Sequence, residues 1–164
     1  PGAEAVVGRP FDALFSVRAD LIDIRDTVGF GARGTDRATN AIVDRRGFSS
    51  VDLRSAGDMR LLRGVHNASA ATGLEASGDI ILTAAQIYPA TDTRARIVAG
   101  YQGPNSAFVE GTSLTLRRSG AGEPAVPYSA FGQLTLRAET INQGGVVRAP
   151  FGNVTLGSLD VSAR

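Results

Sequence analysis

Cysteine, tryptophan and lysine are all missing from this chain of 164 residues, which holds one methionine and one histidine. Without cysteine there can be neither a disulfide framework nor a thiolate metal site. The single histidine, His66 in Gly64-Val65-His66-Asn67-Ala68, has no second histidine to share a metal ion or a catalytic triad, so it reads as a turn or solvated strand position. No stretch approaches the roughly 20 apolar residues that cross a bilayer, so no membrane span is expected. Pro1 to Pro10 lacks the charged, apolar and cleavage regions of a secretion signal. All 17 basic residues are arginine; a GC-rich genome produces that usage as readily as a physical need, and no function is read from it. Acidic and basic residues are interleaved and nearly cancel, leaving a net charge of +1. No basic stripe exists to neutralise a phosphate backbone, and nucleic acid is not an expected partner.

What the chain does have is 43% hydrophobic residues, 20 glycines and a short recurring pattern: Gly, a polar residue, then apolar positions in strict alternation. It stands as Gly57-Asp58-Met59-Arg60-Leu61, as Gly78-Asp79-Ile80-Ile81-Leu82-Thr83-Ala84, as Gly132-Gln133-Leu134-Thr135-Leu136-Arg137-Ala138 and as Gly152-Asn153-Val154-Thr155-Leu156, with a looser copy from Gly111 to Leu116. The leading glycines at 57 and 78, and at 111 and 132, are 21 apart; those at 132 and 152 are 20 apart, and one step, 78 to 111, is 33. Gly78 to Ile87 also superposes on Gly132 to Ile141 at an offset of 54.

Alternation with period two describes a strand with one buried face. It turns Leu134, Leu136 and Ala138 inward and Thr135, Arg137 and Glu139 to water. The same rule buries Val17 and Ala19, Ile22 and Ile24, Val51 and Leu53, Val147 and Ala149, Val154 and Leu156, then Leu159, Val161 and Ala163. Helical spacing fits almost nowhere. Each segment is too short to bury its apolar face alone, whereas stacking at the roughly 4.8 Å strand spacing makes a continuous core. The expected fold is therefore all-β: a right-handed parallel β-helix of about seven coils of about 20–21 residues each. One coil reads as a strand from Leu134 to Ala138, a corner from Glu139 to Asn142 with Ile141 turned in, Gly144-Gly145, a strand from Val146 to Ala149 and a corner at Pro150. A β-sandwich also suits short strands, but the Asn-Gly and Asp-Gly dipeptides that favour tight antiparallel turns do not occur. Residues 1–164 are read as a single segment, less regular over 1–50 and clearly repetitive over 51–164. Three stretches break the rhythm, Gly31 to Gly47, Gly100 to Thr112 and Ser119 to Ala130, and are expected to be corner loops that project outward.

The run from Gly78 to Pro89, followed by Thr135-Leu136-Arg137-Ala138-Glu139-Thr140-Ile141-Asn142-Gln143-Gly144-Gly145-Val146-Val147-Arg148-Ala149-Pro150-Phe151-Gly152, resembles filamentous haemagglutinin family proteins. The likeness covers about Val51 to Arg164; Ala19-Asp20-Leu21-Ile22-Asp23-Ile24 with Val28-Gly29-Phe30-Gly31 resembles the segment preceding such repeats. The resemblance implies a very large protein exported through an outer-membrane transporter by two-partner secretion, folding at the bacterial surface as a fibre that adheres to host cells or neighbouring bacteria. It is equally compatible with the passive stalk of a contact-dependent growth inhibition protein. The repeat is a fold signature and does not choose between them. Neither export signal nor polar cap is visible at either end, so the chain is expected to be a fragment of a longer fibre whose exposed strand edges allow end-to-end self-association.

Parallel β-helices include polysaccharide-degrading enzymes, which use clustered carboxylates. Here the acids are scattered, and Asp58 and Asp79 in equivalent repeat positions give way to Gln133 and Asn153, a series suited to corner hydrogen bonding. No enzyme, cofactor or metal site is expected. Gly29-Phe30-Gly31-Ala32-Arg33-Gly34 matches no nucleotide-binding fingerprint and reads as a turn. The triplets at Asn67 and Asn153 match the glycosylation pattern and are expected to be unmodified. The partner-binding candidates are the aromatic residues of the interrupting stretches, Tyr101, Phe108 and Tyr128, with Arg94 and Arg96 close in sequence, because aromatic and arginine side chains carry most binding energy and stack on sugars. The expected partner is a glycan or protein on a host or bacterial surface.

Overall fold

The computed structural model describes residues 11–35, 42–45, 47–65, 71–101, 109–157. Among these residues the chain is all-β and contains no helix. Three parallel sheets are visited in a fixed order. β1 (Phe11–Ala19), β2 (Ile22–Arg25) and β3 (Thr27–Phe30) enter the first, second and third sheet in turn. β6 (Phe48–Ser55), β7 (Met59–Leu62) and β8 (Thr72–Ala76) repeat that circuit, as do β9 (Asp79–Ala84), β10 (Ile87–Pro89) and β11 (Arg94–Ala99). The fourth circuit passes from β12 (Ser113–Arg118) in the first sheet to β13 (Gln133–Arg137) in the third, and the fifth from β14 (Thr140–Gly144) to β15 (Asn153–Gly157).

Pairing is in register and gathers like residues on one face. Val51 pairs with Ile80, Ile80 with Leu114 and Leu114 with Ile141 in the first sheet. Leu74 pairs with Ile97, Ile97 with Leu136 and Leu136 with Leu156 in the third. Inward residues of all three sheets meet in one apolar core, in which Met59, Leu61, Ile80, Leu82, Leu114 and Leu136 are fully buried. Burying each such side chain contributes roughly 1.5–3 kcal/mol. No single strand could do this, since each presents only two or three apolar residues. At one end Phe15, Phe30 and Phe48 close over the core with ring centroids 4.6–6.0 Å apart. Corner hydroxyls bond along the stack to backbone carbonyls of the neighbouring circuit: Ser55 Oγ donates to Asp20 O at 3.0 Å, Thr72 Oγ1 to Asp26 O at 2.7 Å and Ser129 Oγ to Pro89 O at 2.6 Å. At Asp20 and Asp26 the hydroxyl is a second donor beside the amides of Gly57 and Gly73, each 2.8 Å away.

The repeat length expected from sequence is corrected by this register. Successive partners in the first sheet, Val51, Ile80, Leu114 and Ile141, are separated by 29, 34 and 27 residues. Among the described residues the first and third sheets are five strands deep and the second three, against about seven coils expected. The Gly-led copies lie on different walls: β7 follows Gly57 in the second sheet, β9 follows Gly78 in the first, and β13 and β15 follow Gly132 and Gly152 in the third. The steps from Gly78 to Gly111 and from Gly132 to Gly152 are each one circuit, from β9 to β12 and from β13 to β15, whereas those from Gly57 to Gly78 and from Gly111 to Gly132 pass to another wall. Asp58 and Asp79 are therefore not equivalent positions, while Gln133 and Asn153 pair directly.

Other boundaries also differ. Glu139 to Asn142 is not a corner, because Thr140–Gly144 forms β14 against β12 with Ile141 half-buried. Val146 to Ala149 forms no strand but a single bridge, Val147 to Ile87. Gly31 to Gly47 is not a plain loop: β4 (Ala32–Thr35) and β5 (Ile42–Arg45) pair antiparallel. The turn expected from Gly29 to Gly34 narrows to a bend at Gly31, whose φ of +91° requires glycine, with strands on both sides. Ala19, Val154 and Leu156 are exposed rather than buried, since β1 and β15 are edge strands covered on one flank only. Leu159, Val161 and Ala163 lie outside the described residues.

Candidate partner-binding surface

In the fourth circuit the segment from Ser119 to Ala130 contains no strand, as the interruption of the repeat suggested, and leaves the second sheet without a member at that level. The segment is nevertheless tied down. Gln86 Nε2 donates to Ala125 O at 3.0 Å and to Asp58 Oδ2 at 3.2 Å, from a residue only 3% exposed. Arg148 Nη2 donates to Pro124 O and to Glu123 Oε1, both at 3.2 Å. Tyr88 completes the anchor by donating its hydroxyl to Asp58 Oδ2 at 3.2 Å; burial and the neighbouring Asp58 raise its pKa. The tethered segment displays Val126, 64% exposed, and Tyr128, fully exposed.

Beyond Tyr128 the chain turns into the third sheet through Phe131, and one circuit later through Phe151. Arg94, Gln133 and Asn153 are partners across β11, β13 and β15. The residues two positions earlier, Asp92, Phe131 and Phe151, all have positive φ, 53°, 60° and 52°. Their backbones stack as well: the Asp92 amide donates to Ala130 O at 3.1 Å and the Phe131 amide to Pro150 O at 3.0 Å. Left-handed backbone at a bulky side chain is rare, because Cβ crowds the following carbonyl. Here it swings two phenyl rings away from the core. Their centroids are 6.2 Å apart, and Phe131 and Phe151 are 63% and 87% exposed.

The residues singled out from sequence are thus divided. Tyr128 stands free, and Arg94 is exposed at the start of β11 in register with Gln133. Arg96 and Tyr101 are instead engaged on the outer face of the third sheet. Arg96 pairs with the carboxylate of Glu75, a residue 7% exposed, and its guanidinium lies 5.9 Å from the Tyr101 ring centre. Burial and the charge of Glu75 raise the Tyr101 pKa. Val98 is 4% exposed on the same outer face, while the Arg96 side chain beside it keeps 43% of its surface exposed. Phe108, His66 and Asn67 lie outside the described residues; Asn153 lies within β15.

Sequence reasoning missed Phe131 and Phe151 altogether. The signal was the parity of the alternation: with Leu134 and Leu136 inward, Phe131 falls on the outward set, and Phe151 does so relative to Val154 and Leu156.

The fold also gathers acids that the sequence scattered. A groove of about 370 Å³ is lined by Asp12, Asp79 and Glu110 together with Ser49 and Thr112. Asp79 Oδ1 already accepts from the Ser113 amide at 2.6 Å and the Ser113 hydroxyl at 3.1 Å. Among the described residues no group of three or more His, Cys, Asp or Glu side chains could hold a metal ion. No helix among them is long and apolar enough to cross a membrane. Neither a family model, nor a curated protein, nor a solved structure matches the chain.

Proposed function

We propose that the chain is a stretch of right-handed parallel β-helix from a large, secreted bacterial surface fibre of the filamentous haemagglutinin kind, and that it takes part in attachment. The fixed order in which strands enter three parallel sheets, with five levels in register in the first and third, supports the β-helical reading. The observation that carries the adhesive reading is the exposure of three aromatics, Tyr128 on the anchored segment and the paired Phe131 and Phe151 on left-handed backbone. A passive stalk gains nothing from apolar rings in water, and exposed patches of that kind mark interaction sites.

Binding of the monomeric chain to epithelial cells and to neighbouring bacteria tests the proposal. Saturable attachment is the expected result. A folded chain that attaches to neither surface would favour the stalk of a growth-inhibition protein, with the activity elsewhere in the fibre.

One observation favours a second reading, a polysaccharide-degrading enzyme: the groove shared by Asp12, Asp79 and Glu110. New reducing ends released from polysaccharide, and lost with Asp79→Asn, would support that reading.

A further inference from the structure

We infer that the Phe131 and Phe151 corner is a subsite for an extended, uncharged glycan, an inference that rests on the adhesive reading and gives it a ligand class. Three features of the surface lead there.

The first is shape. Two phenyl rings on successive levels form an apolar step that repeats with the stack of strands, at 6.2 Å between centroids. The C–H face of a sugar ring packs on such a surface, and a glycan running along the stack presents one ring after another at a similar interval. Phenylalanine supplies area without a hydroxyl, so the polar contacts must come from beside it.

The second is what stands beside it. Arg94, Gln133 and Asn153 form a parallel row two residues along each strand, all exposed and in register. Guanidinium and amide groups are thus exposed on the same levels as the rings, two residues further along the chain. Amides donate and accept, which matches the paired donor and acceptor character of sugar hydroxyls. The remaining member of the aromatic column is Asp92, whose charge offsets Arg94 and leaves the surface without net charge. An acidic glycan would meet no excess of cations here, and a basic peptide no excess of acids.

The third is backbone. Positive φ at a bulky residue is unfavourable, and glycine, asparagine or aspartate occupy such positions more easily. Asp92 follows that preference, whereas Phe131 and Phe151 depart from it one circuit apart. Strain held at an exposed position is a mark of function.

The test is titration of the 164-residue chain with cellohexaose, chitohexaose and mannohexaose, followed by amide NMR, beside cell-attachment measurements on the same material. Saturable shifts centred on amides 131–133 and 151–153 are expected with at least one hexasaccharide. The Phe131→Ala, Phe151→Ala double variant should bind at least about tenfold more weakly, as truncation of central contact aromatics does. The corresponding double tryptophan variant should retain binding. Shifts confined to other amides, no saturable shift at millimolar sugar, or unchanged affinity in the alanine variant would overturn the inference; because the first two are read on the unmodified chain, they hold even if the alanine variant misfolds. Attachment to cells without any sugar binding, abolished by protease treatment of the cells, would overturn the glycan and leave the adhesive reading standing with a protein partner. Sugar binding without attachment to cells would uphold the subsite and remove the adhesive reading.

Discussion

Val147 pairs with Ile87, 60 residues earlier, across the level where the second sheet has lost its strand. The Ile87 amide donates to Val146 O at 2.9 Å, and the Arg148 amide to Ile87 O at 3.0 Å. The fifth circuit thus rests on the third in this wall, and Ile87, 1% exposed, is packed from both sides. Ile87→Ala should cost about 2–5 kcal/mol, the usual loss for a fully buried isoleucine. Ile81 in β9 faces outward and is only partly covered. Ile81→Ala should cost less than about 1 kcal/mol, as surface substitutions do. Urea unfolding of the two variants, one residue type on opposite faces, measures directly which face is the core.

The same vacancy leaves the segment from Ser119 to Ala130 dependent on side-chain anchors. Arg148→Ala removes the bonds to Glu123 and Pro124, and Gln86→Ala the bond to Ala125. Both substitutions should speed hydrogen exchange of amides between Ser119 and Val126 while amides of β9 and β12 keep their protection. An unchanged exchange pattern would mean that the backbone bond from Ser119 to Ala84 O, 3.0 Å long, is enough to hold the segment.

How much of this was legible in the sequence depended on whether a residue's surroundings were local. Alternation alone found Val51, Leu53, Leu134, Leu136 and Ala138, because period two fixes the buried face of a strand whatever it pairs with. It could not tell which of three walls a strand joins, since a glycine followed by alternating residues marks entry into any of them. β14 was hidden because Thr140-Ile141-Asn142-Gln143-Gly144 carries one apolar residue; its place comes from pairing with β12, not from its own pattern. The antiparallel pair of β4 and β5 lacks the tight-turn dipeptides that would have flagged it. At the site, Tyr128 was singled out because it is an aromatic residue of an interruption, whereas Phe131 and Phe151, each just ahead of a Gly-led copy, lay outside the stretches from which candidates were drawn.

On the second sheet Asp23 accepts from Arg60 Nε and Nη2, each at 2.7 Å. The hydrogen bond to Arg60, followed by that charge, lowers the Asp23 pKa against the opposing effect of burial. A carboxylate with a folded pKa below its unfolded value contributes stability above the unfolded value and loses it as pH falls through the folded one. Asp23→Asn should therefore weaken the fold at neutral pH and match the parent once the solution is more acidic than the folded carboxylate. The pair is about one-third exposed on each side, so solvent screening keeps the difference below about 1 kcal/mol. Thermal unfolding of both proteins across the acid range, repeated at about 1 M salt where screening is nearly complete, checks sign and size together.

Phe131 allows the backbone argument to be separated from the ring. Phe131→Ala and Phe131→Gly both remove the contact with Phe151, so their difference reports on the φ of 60° alone. In ordinary strand or helix positions alanine is the more stabilising of the two, by roughly 0.5–1 kcal/mol, because glycine has more freedom to lose. At positive φ the order reverses, since the alanine Cβ still meets the following carbonyl while glycine has none. The glycine variant should therefore unfold at higher urea than the alanine variant. At Gly152, where an added Cβ would stand 1.9 Å from Gly132 O, the ordinary order cannot be restored either: Gly152→Ala must push the backbone of β15 away from β13 and should lose about 1–3 kcal/mol, the range for overpacked sites. If alanine proved the better residue at 131, the left-handed corner would not be the feature that turns the ring outward.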